Sequence, residues 1–365
     1  MNTSDVLGRA WSGERLGADD LLELGTFRDL TALAACADRM RQRCNPDPIV
    51  TYVIGRNVNY TNVCWVRCRF CAFYREPGNA EGYVLSRDEL RSKVREMVDQ
   101  GGVELLMQGG LNPALDLAWY ESLFRDLKTE FGSSGLVLHA LSPAEVIYIA
   151  RRARLSVAET LQRLKAAGLD SMPGGGAEIL TERVRQEIAP LKTGADAWLD
   201  CMRQAHRLGI PTTATMMYGS VDTWEDRGEH LLRIRDLQDE TGGFTAFILW
   251  PFQPDGTELG LQVGGAGATR SGAYDYLRTL AISRLALDNV RHFQVSWVTQ
   301  GPHIAQIALR YGADDFGSTM MEENVVSAAG CTFRLGAREI ERLIKSAGYE
   351  PRRRNTRYEL IAPTC

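Results

Sequence analysis

The feature that most restricts the fold of this chain is a rhythm. Between about residues 50 and 320 a short apolar run is followed by a capped amphipathic stretch, eight times over. The runs that read as strands are TYVIGRNVNY (51–60), VELLMQ (103–108), LVLHAL (136–141), LDSMP (169–173), TTATMMYG (212–219), FTAFILW (244–250), FQVSWV (293–298) and DFGSTM (315–320). The stretches between them carry helix signals. Ser86-x-x-Glu89, Ser142-x-x-Glu145 and Ser156-x-x-Glu159 are capping boxes, Pro143 and Pro302 suit a first helical position, and Gly101 is a stop. Further helices are expected near 117–131, 195–208, 223–239 and 271–289, with GLQVGGAGATR (260–270) as a glycine-rich loop.

Strands alternating with helices predict an α/β protein with a parallel sheet, and eight units are what a closed (β/α)8 TIM-type barrel requires. An open doubly wound sheet is the structural alternative. The expected organisation is an N-terminal helical extension (1–49, with a helix near 27–44 after a polar lead), the barrel (50–330), and a C-terminal helix and tail packed on it (331–365). The charge balance, 42 Lys+Arg against 46 Asp+Glu, gives no reason to expect nucleic acid or an anionic membrane as partner. No apolar run of about 18 residues occurs and the first residues lack the pattern of a signal peptide, so the expected location is the cytoplasm.

In a barrel the chemistry sits where strands end. The loop after the first strand, NYTNVCWVRCRFCAFYR (59–75), holds Cys64, Cys68 and Cys71 of the eight cysteines. Cys36, Cys44, Cys201, Cys331 and Cys365 are scattered, and without a secretion signal the set does not read as a disulfide framework. Thiolates prefer zinc or iron–sulfur clusters, and a structural zinc site wants four protein ligands. No fourth Cys and no His lies nearby, so three ligands on a [4Fe-4S] cluster would leave one iron open. Zinc with a distant fourth ligand, or thiols buried for packing, remain open on the residues alone.

The spacing C-x3-C-x2-C with Phe70 before the last Cys resembles the signature of the radical S-adenosylmethionine superfamily. The resemblance implies a (β/α) barrel, a [4Fe-4S] cluster held by Cys64, Cys68 and Cys71, and S-adenosylmethionine on the open iron. It also implies cofactor contacts from Phe70 near the adenine, and from Gln108, Gly109 and Gly110, where related chains carry a Gly-Gly-Glu-like motif. Here Leu111 takes the acidic place, so only the backbone role carries over. PGGGAE (173–178) offers a backbone cradle with Gly175, Glu178 is a hydroxyl acceptor, and Arg185 is a candidate partner for the methionine carboxylate.

The wider blocks LMQGGLNP, PGGGAEIL, TTATMMYG, the run 232–254 ending in WPFQP, and SWVTQGP resemble the cyclic dehypoxanthinyl futalosine synthases of the futalosine route to menaquinone. Aminofutalosine synthase and the two halves of FO synthase are the alternatives within the group, and an iron–sulfur electron carrier is the alternative outside it. The resemblance implies dehypoxanthine futalosine as small-molecule substrate and an electron donor such as flavodoxin or ferredoxin. It also implies a base for a departing proton, with His139 and Glu178 as candidates. Arg56 and Arg75 are candidates for a substrate carboxylate, Tyr218, Trp250 and Gln253 for the wall or lid, and Glu322 and Glu323 for cavity carboxylates. His206, His230 and His292 read as structural.

Overall fold

The structure is a computed structural model and describes residues 3–264 and 271–361. Cys365 and residues 265–270 of the glycine-rich segment lie outside it. The described residues form nine strands: β1 Ile49–Val53, β2 Gly55–Asn59, β3 Glu104–Gln108, β4 Val137–Ala140, β5 Thr212–Tyr218, β6 Phe244–Pro251, β7 His292–Gln294, β8 Asp315–Ser318 and β9 Glu350–Arg353. All their pairings are parallel, in the orders β5-β6-β7-β8-β1-β9 and β2-β3-β4.

Two joints close these sheets into one barrel. The expected first strand, 51–60, breaks at Ile54, so that β1 pairs with β8 while β2 pairs with β3. On the other side, His139 bridges to Ser171 and Met172 bridges to Thr212. The fourth strand, LDSMP, is thus reduced to two bridge residues. Pro173 cannot donate to a ladder and the three glycines after it favour a turn, which is why it goes no further. The chain is an α/β barrel of eight parallel strand positions.

Side-chain alternation explains what the barrel encloses. Val58, Leu105, Met107, Leu138, Ala214, Met216, Phe247, Leu249 and Phe293 leave the barrel and pack in the cores beneath the helices. Burying one such Phe or Leu contributes about 1.5–3 kcal/mol. The alternate residues Asn57, Asn59, Glu104, Gln108, His139, Thr213, Thr215 and Gln294 line a cavity instead. Barrel interiors are commonly filled with Val, Ile and Leu. Polar residues in these places keep this one open.

The helices start where the capping boxes place them, at Ser86, Ser142 and Ser156, each with the Glu three residues on returning to the cap. Four features differ from the sequence reading. The polar lead holds two helices, Thr3–Ser12 and Ala18–Thr26, the second fastened by Asp20, which accepts from the Gly17 N–H at 2.8 Å. FQVSWV leaves the sheet after Gln294 and turns helical over Trp297–Gln300. The segment read as a glycine-rich loop begins with a helix, Glu258–Gly264. The tail adds β9, a charged edge strand, in parallel beside β1. No helix among the described residues is long and apolar enough to cross a membrane.

Candidate active site

One cavity of about 400 Å³ runs through the barrel from the cysteine loop to the C-terminal tail. At its mouth the loop after β2 is strapped at both ends. Cys64 N–H donates to Arg75 O at 2.8 Å, and Arg75 N–H donates to Asn62 O at 2.8 Å. Gly110 N–H donates to Thr61 O at 3.0 Å, fastening the loop to the end of β3. The two glycines after Gln108 serve this packing: a Cβ on Gly109 would fall 2.7 Å from the Tyr60 ring, and one on Gly110 would fall 2.3 Å from the Val63 carbonyl oxygen. Both glycines still line the cavity beside the cysteine loop.

Cys64, Cys68 and Cys71 all line the cavity, the first two buried and the third half-buried. Burial pushes the Cys68 thiol up to about 12, against the pull of the nearby Lys192 ammonium. Burial likewise raises Cys71. Such thiols give up their protons when they bind a metal centre. Among the described residues no three His, Cys, Asp or Glu side chains converge on a spot one metal ion could share. Three thiols lining one cavity suit three separate irons of a cluster.

The PGGGAE loop forms the next part of the wall. Thr213 Oγ1 accepts from Gly174 N–H at 2.9 Å, and Trp198 Nε1–H donates to Gly175 O at 3.2 Å. A Cβ on Gly175 would meet Gln108 Nε2 at 2.2 Å, so a side chain there would push the end of Gln108 aside. Glu178, held in the left-handed region at φ 44°, accepts from Lys192 Nζ at 2.7 Å through one oxygen, while the other is buried without a hydrogen bond. That oxygen lies 3.8 Å from the Arg185 guanidinium, too far for a hydrogen bond, and so keeps the capacity to accept from a ribose hydroxyl. Lys192 also stands 5.4 Å from the Phe70 ring centre, which ties the cysteine loop to this wall. Nothing in PLKTG marks Lys192 in advance: a loop lysine usually reads as solvated.

Arg185 does not line the cavity. Its guanidinium donates to the Ala177 carbonyl at 2.7 Å, to Gly176 at 3.2 Å and to Thr193, so it braces the glycine loop from behind. Arg56 is spent on Glu322 and Glu96, and Arg75 on Glu81 and loop carbonyls, so neither reaches the interior. Glu322 is turned away with Arg56 and Lys93. Glu323 lines the cavity but accepts from the N–H groups of Val325, Val326 and Ser327. Trp250 and Gln253 line the wall; Tyr218 is buried outside it.

His139 lies deeper in the barrel than a strand-end position implied, as the third residue of β4. Its Nδ1 meets Ser171 Oγ at 2.7 Å and its Nε2 has no protein partner. Burial lowers its pKa to about 4, so the ring is neutral at pH 7. His206 is held by Thr241 and Thr212, His230 accepts from Leu180 N–H, and His292 pairs with Asp314. The floor comes from the tail: Arg354, Thr356 and Tyr358 line the cavity, with Arg354 donating to both oxygens of Asp315 at 2.5 and 2.8 Å.

Comparison with known proteins places these features. Residues 58–234 match the family model of the radical SAM superfamily, and residues 241–364 match that of the CofH/MqnC C-terminal region. The chain is 48% identical to the cyclic dehypoxanthine futalosine synthase of Halalkalibacterium halodurans, over 99% of this chain and 95% of that one. It is 45% identical to the protein of the same name from Streptomyces coelicolor, over 97% and 88%. Among solved structures, methylornithine synthase superposes with a TM-score of 0.73 at 16% identity, over 95% of this chain and 97% of that one, which is a likeness of fold.

Proposed function

This chain belongs to the radical SAM superfamily, in the family of the cyclic dehypoxanthine futalosine synthases, and on that premise we propose that it cyclises dehypoxanthine futalosine on the futalosine route to menaquinone. The observation that carries the substrate assignment is the likeness to two named cyclases along almost the whole chain. Its cofactors are a [4Fe-4S] cluster and S-adenosylmethionine. When bound, they supply one-electron cleavage of S-adenosylmethionine to methionine and a 5′-deoxyadenosyl radical, which takes hydrogen from the substrate's ribose C4′. The substrate would then join C4′ to its own benzoate ring, and the ring would recover aromaticity by giving one proton to a base and one electron to the oxidised cluster.

The residues divide this work. Cys64, Cys68 and Cys71 hold the cluster. Gln108 and the backbone of Gly109, Gly110 and Gly175 flank the methionine end, Phe70 packs against the adenine, and the open oxygen of Glu178 receives a ribose hydroxyl. Lys192 fixes Glu178 through a buried ion pair, which suits binding better than base catalysis. Arg185 positions the loop instead of touching the cofactor.

His139 takes the ring proton on Nε2, its Nδ1–H donating to Ser171. A base of low basicity suffices, because the proton leaves a ring that gains aromaticity. Phe70, Trp250, Phe252, Trp297 and Val298 keep the mouth apolar and limit water around the radical. The electron comes from a low-potential carrier such as flavodoxin or ferredoxin, and the setting is the cytoplasm.

The test is an anaerobic assay with S-adenosylmethionine, dithionite and either dehypoxanthine futalosine or the enol-ether substrate of aminofutalosine synthase. Formation of the spirocycle and deoxyadenosine from the first is expected. Consumption of the enol ether alone would overturn the assignment.

A further inference from the structure

Four carboxylates line the cavity: Glu104, Glu145, Glu178 and Glu323. Three are already engaged by protein. Glu145 accepts from Tyr60 OH at 2.6 Å and Gly109 N–H at 3.0 Å on one oxygen, and from Ser142 N–H and Oγ, both at 2.7 Å, on the other. Glu323 accepts three backbone N–H groups and Glu178 accepts from Lys192. Glu104 is different. It makes no hydrogen bond, although its residue is only 8% exposed, and the nearest cation is Arg354, at 4.0 Å and already committed to Asp315.

Position sets Glu104 apart as well. It opens β3 while Gln108 closes it, so it lies about 13 Å further along the strand from the cysteine loop. Around this foot of the barrel, Asn57 and Thr356 also line the cavity, each more than nine-tenths buried, and the Asn57 Oδ1 and Thr356 Oγ1 atoms have no hydrogen-bond partner. Buried polar groups are normally satisfied, and these two oxygens are not. An amide oxygen and a hydroxyl left unpartnered beside a carboxylate that makes no hydrogen bond call for a ligand that brings hydroxyls.

We propose that Glu104 receives the sugar hydroxyls of the substrate at the foot of the barrel, with Asn57 and Thr356 beside it, and so fixes which nucleoside-like molecules are accepted. This rests on the function proposed above. Two sugars must bind in one reaction, and the cavity offers two carboxylates with acceptor capacity, Glu178 near the thiols and Glu104 at the far end. The C-terminal segment thereby takes part in specificity, since Arg354 and Thr356 belong to it.

The isosteric variant Glu104→Gln, studied as the reconstituted holoenzyme, tests this. The KM for dehypoxanthine futalosine is expected to rise about 10- to 100-fold, the loss of a charge-assisted hydrogen bond, while iron content and the KM for S-adenosylmethionine stay unchanged. A substrate analogue lacking one sugar hydroxyl is expected to bind the wild type more weakly by a similar factor and to lose little further on the variant. An unchanged KM in Glu104→Gln, or equal discrimination against the analogue by both proteins, overturns the proposal. If the variant does not fold, analogues lacking each sugar hydroxyl in turn decide on the wild type alone: should all of them bind as well as the parent, the proposal fails. A wild type that does not turn over dehypoxanthine futalosine at all is a different result, which removes the functional reading and this assignment with it.

Discussion

The close approach of Gly110 to the cysteine loop gives a sharp test of how packing supports the cluster. In Gly110→Ala the new methyl carbon would lie 2.3 Å from the Val63 carbonyl oxygen, 2.7 Å from its carbonyl carbon and 2.9 Å from Cys64 Cβ. Two of these atoms are backbone and cannot swing away. Reaching even about 3.0 Å, still short of ordinary contact, requires the end of β3 and the loop to part by about 0.7 Å. Overpacking of this kind costs about 1–3 kcal/mol. Because the displaced atoms include those of Cys64 itself, the ligand geometry moves with them, and a misplacement near 1 Å costs about 100-fold in rate.

Iron and sulfide per chain after anaerobic reconstitution, the denaturation midpoint and turnover are the readouts. Substoichiometric iron, a lowered midpoint and at least about a 10-fold loss of turnover are expected. Gly132→Ala is the control, since its added methyl would meet nothing within 4 Å. A Gly110→Ala protein with a full cluster and wild-type turnover would refute the reasoning.

Replacing Cys64, Cys68 or Cys71 by Ala is expected to abolish cluster binding and deoxyadenosine formation, whereas Cys36, Cys201 or Cys331→Ala leave the iron content unchanged; loss of the cluster in the second set would show a different ligand set. Lys192→Met strips Glu178 of its hydrogen-bonded cation and leaves it only Arg185 at 3.8 Å, so the apoprotein should lose about 3 kcal/mol, much of it recovered in Lys192→Met/Glu178→Gln, as read from denaturation midpoints. Burial holds His139 and His206 at about 4 and His230 at about 3, against an ordinary 6.5, so the unfolded chain binds more protons than the folded one between these values. Stability is therefore full above pH 6.5 and falls as the pH drops toward 4, by up to about 4 kcal/mol per pH unit near pH 5. A urea midpoint that stays flat from pH 6.5 to 5 would contradict this.

The barrel was legible because its signals are local. Capping boxes at Ser86, Ser142 and Ser156 and alternating apolar runs need no knowledge of distant partners. Where partners decide, the reading stopped. The break at Ile54 depends on β8 and β3 competing for the two halves of one run, and the fourth strand is shortened by Pro173 and its glycines. The cysteine loop announced its thiols by spacing, but Lys192 joins it only through the fold. Arg56, Arg75 and Arg185 showed the converse error: each flanks a functional loop in sequence and turns away from the cavity in space, because a carboxylate or a set of carbonyls claims it. Glu104 did leave a signal, since Glu104, Leu106 and Gln108 share one phase of an apolar strand. Arg354 left none: RRRN reads as a solvated charge run until β9 carries it beneath the barrel.

Each barrel strand carries two messages on opposite faces. Residues that hold the helices, such as Leu105, Met107 and Phe247, alternate with residues that line the cavity, such as Glu104, Gln108 and Ile248. The two sets point to opposite faces of the sheet, so an inward change leaves the residues of the cores under the helices unaltered. Such an architecture is evolvable in a specific sense: a lineage can exchange one substrate for another by rewriting every second residue of a strand, while the scaffold it inherits remains folded throughout.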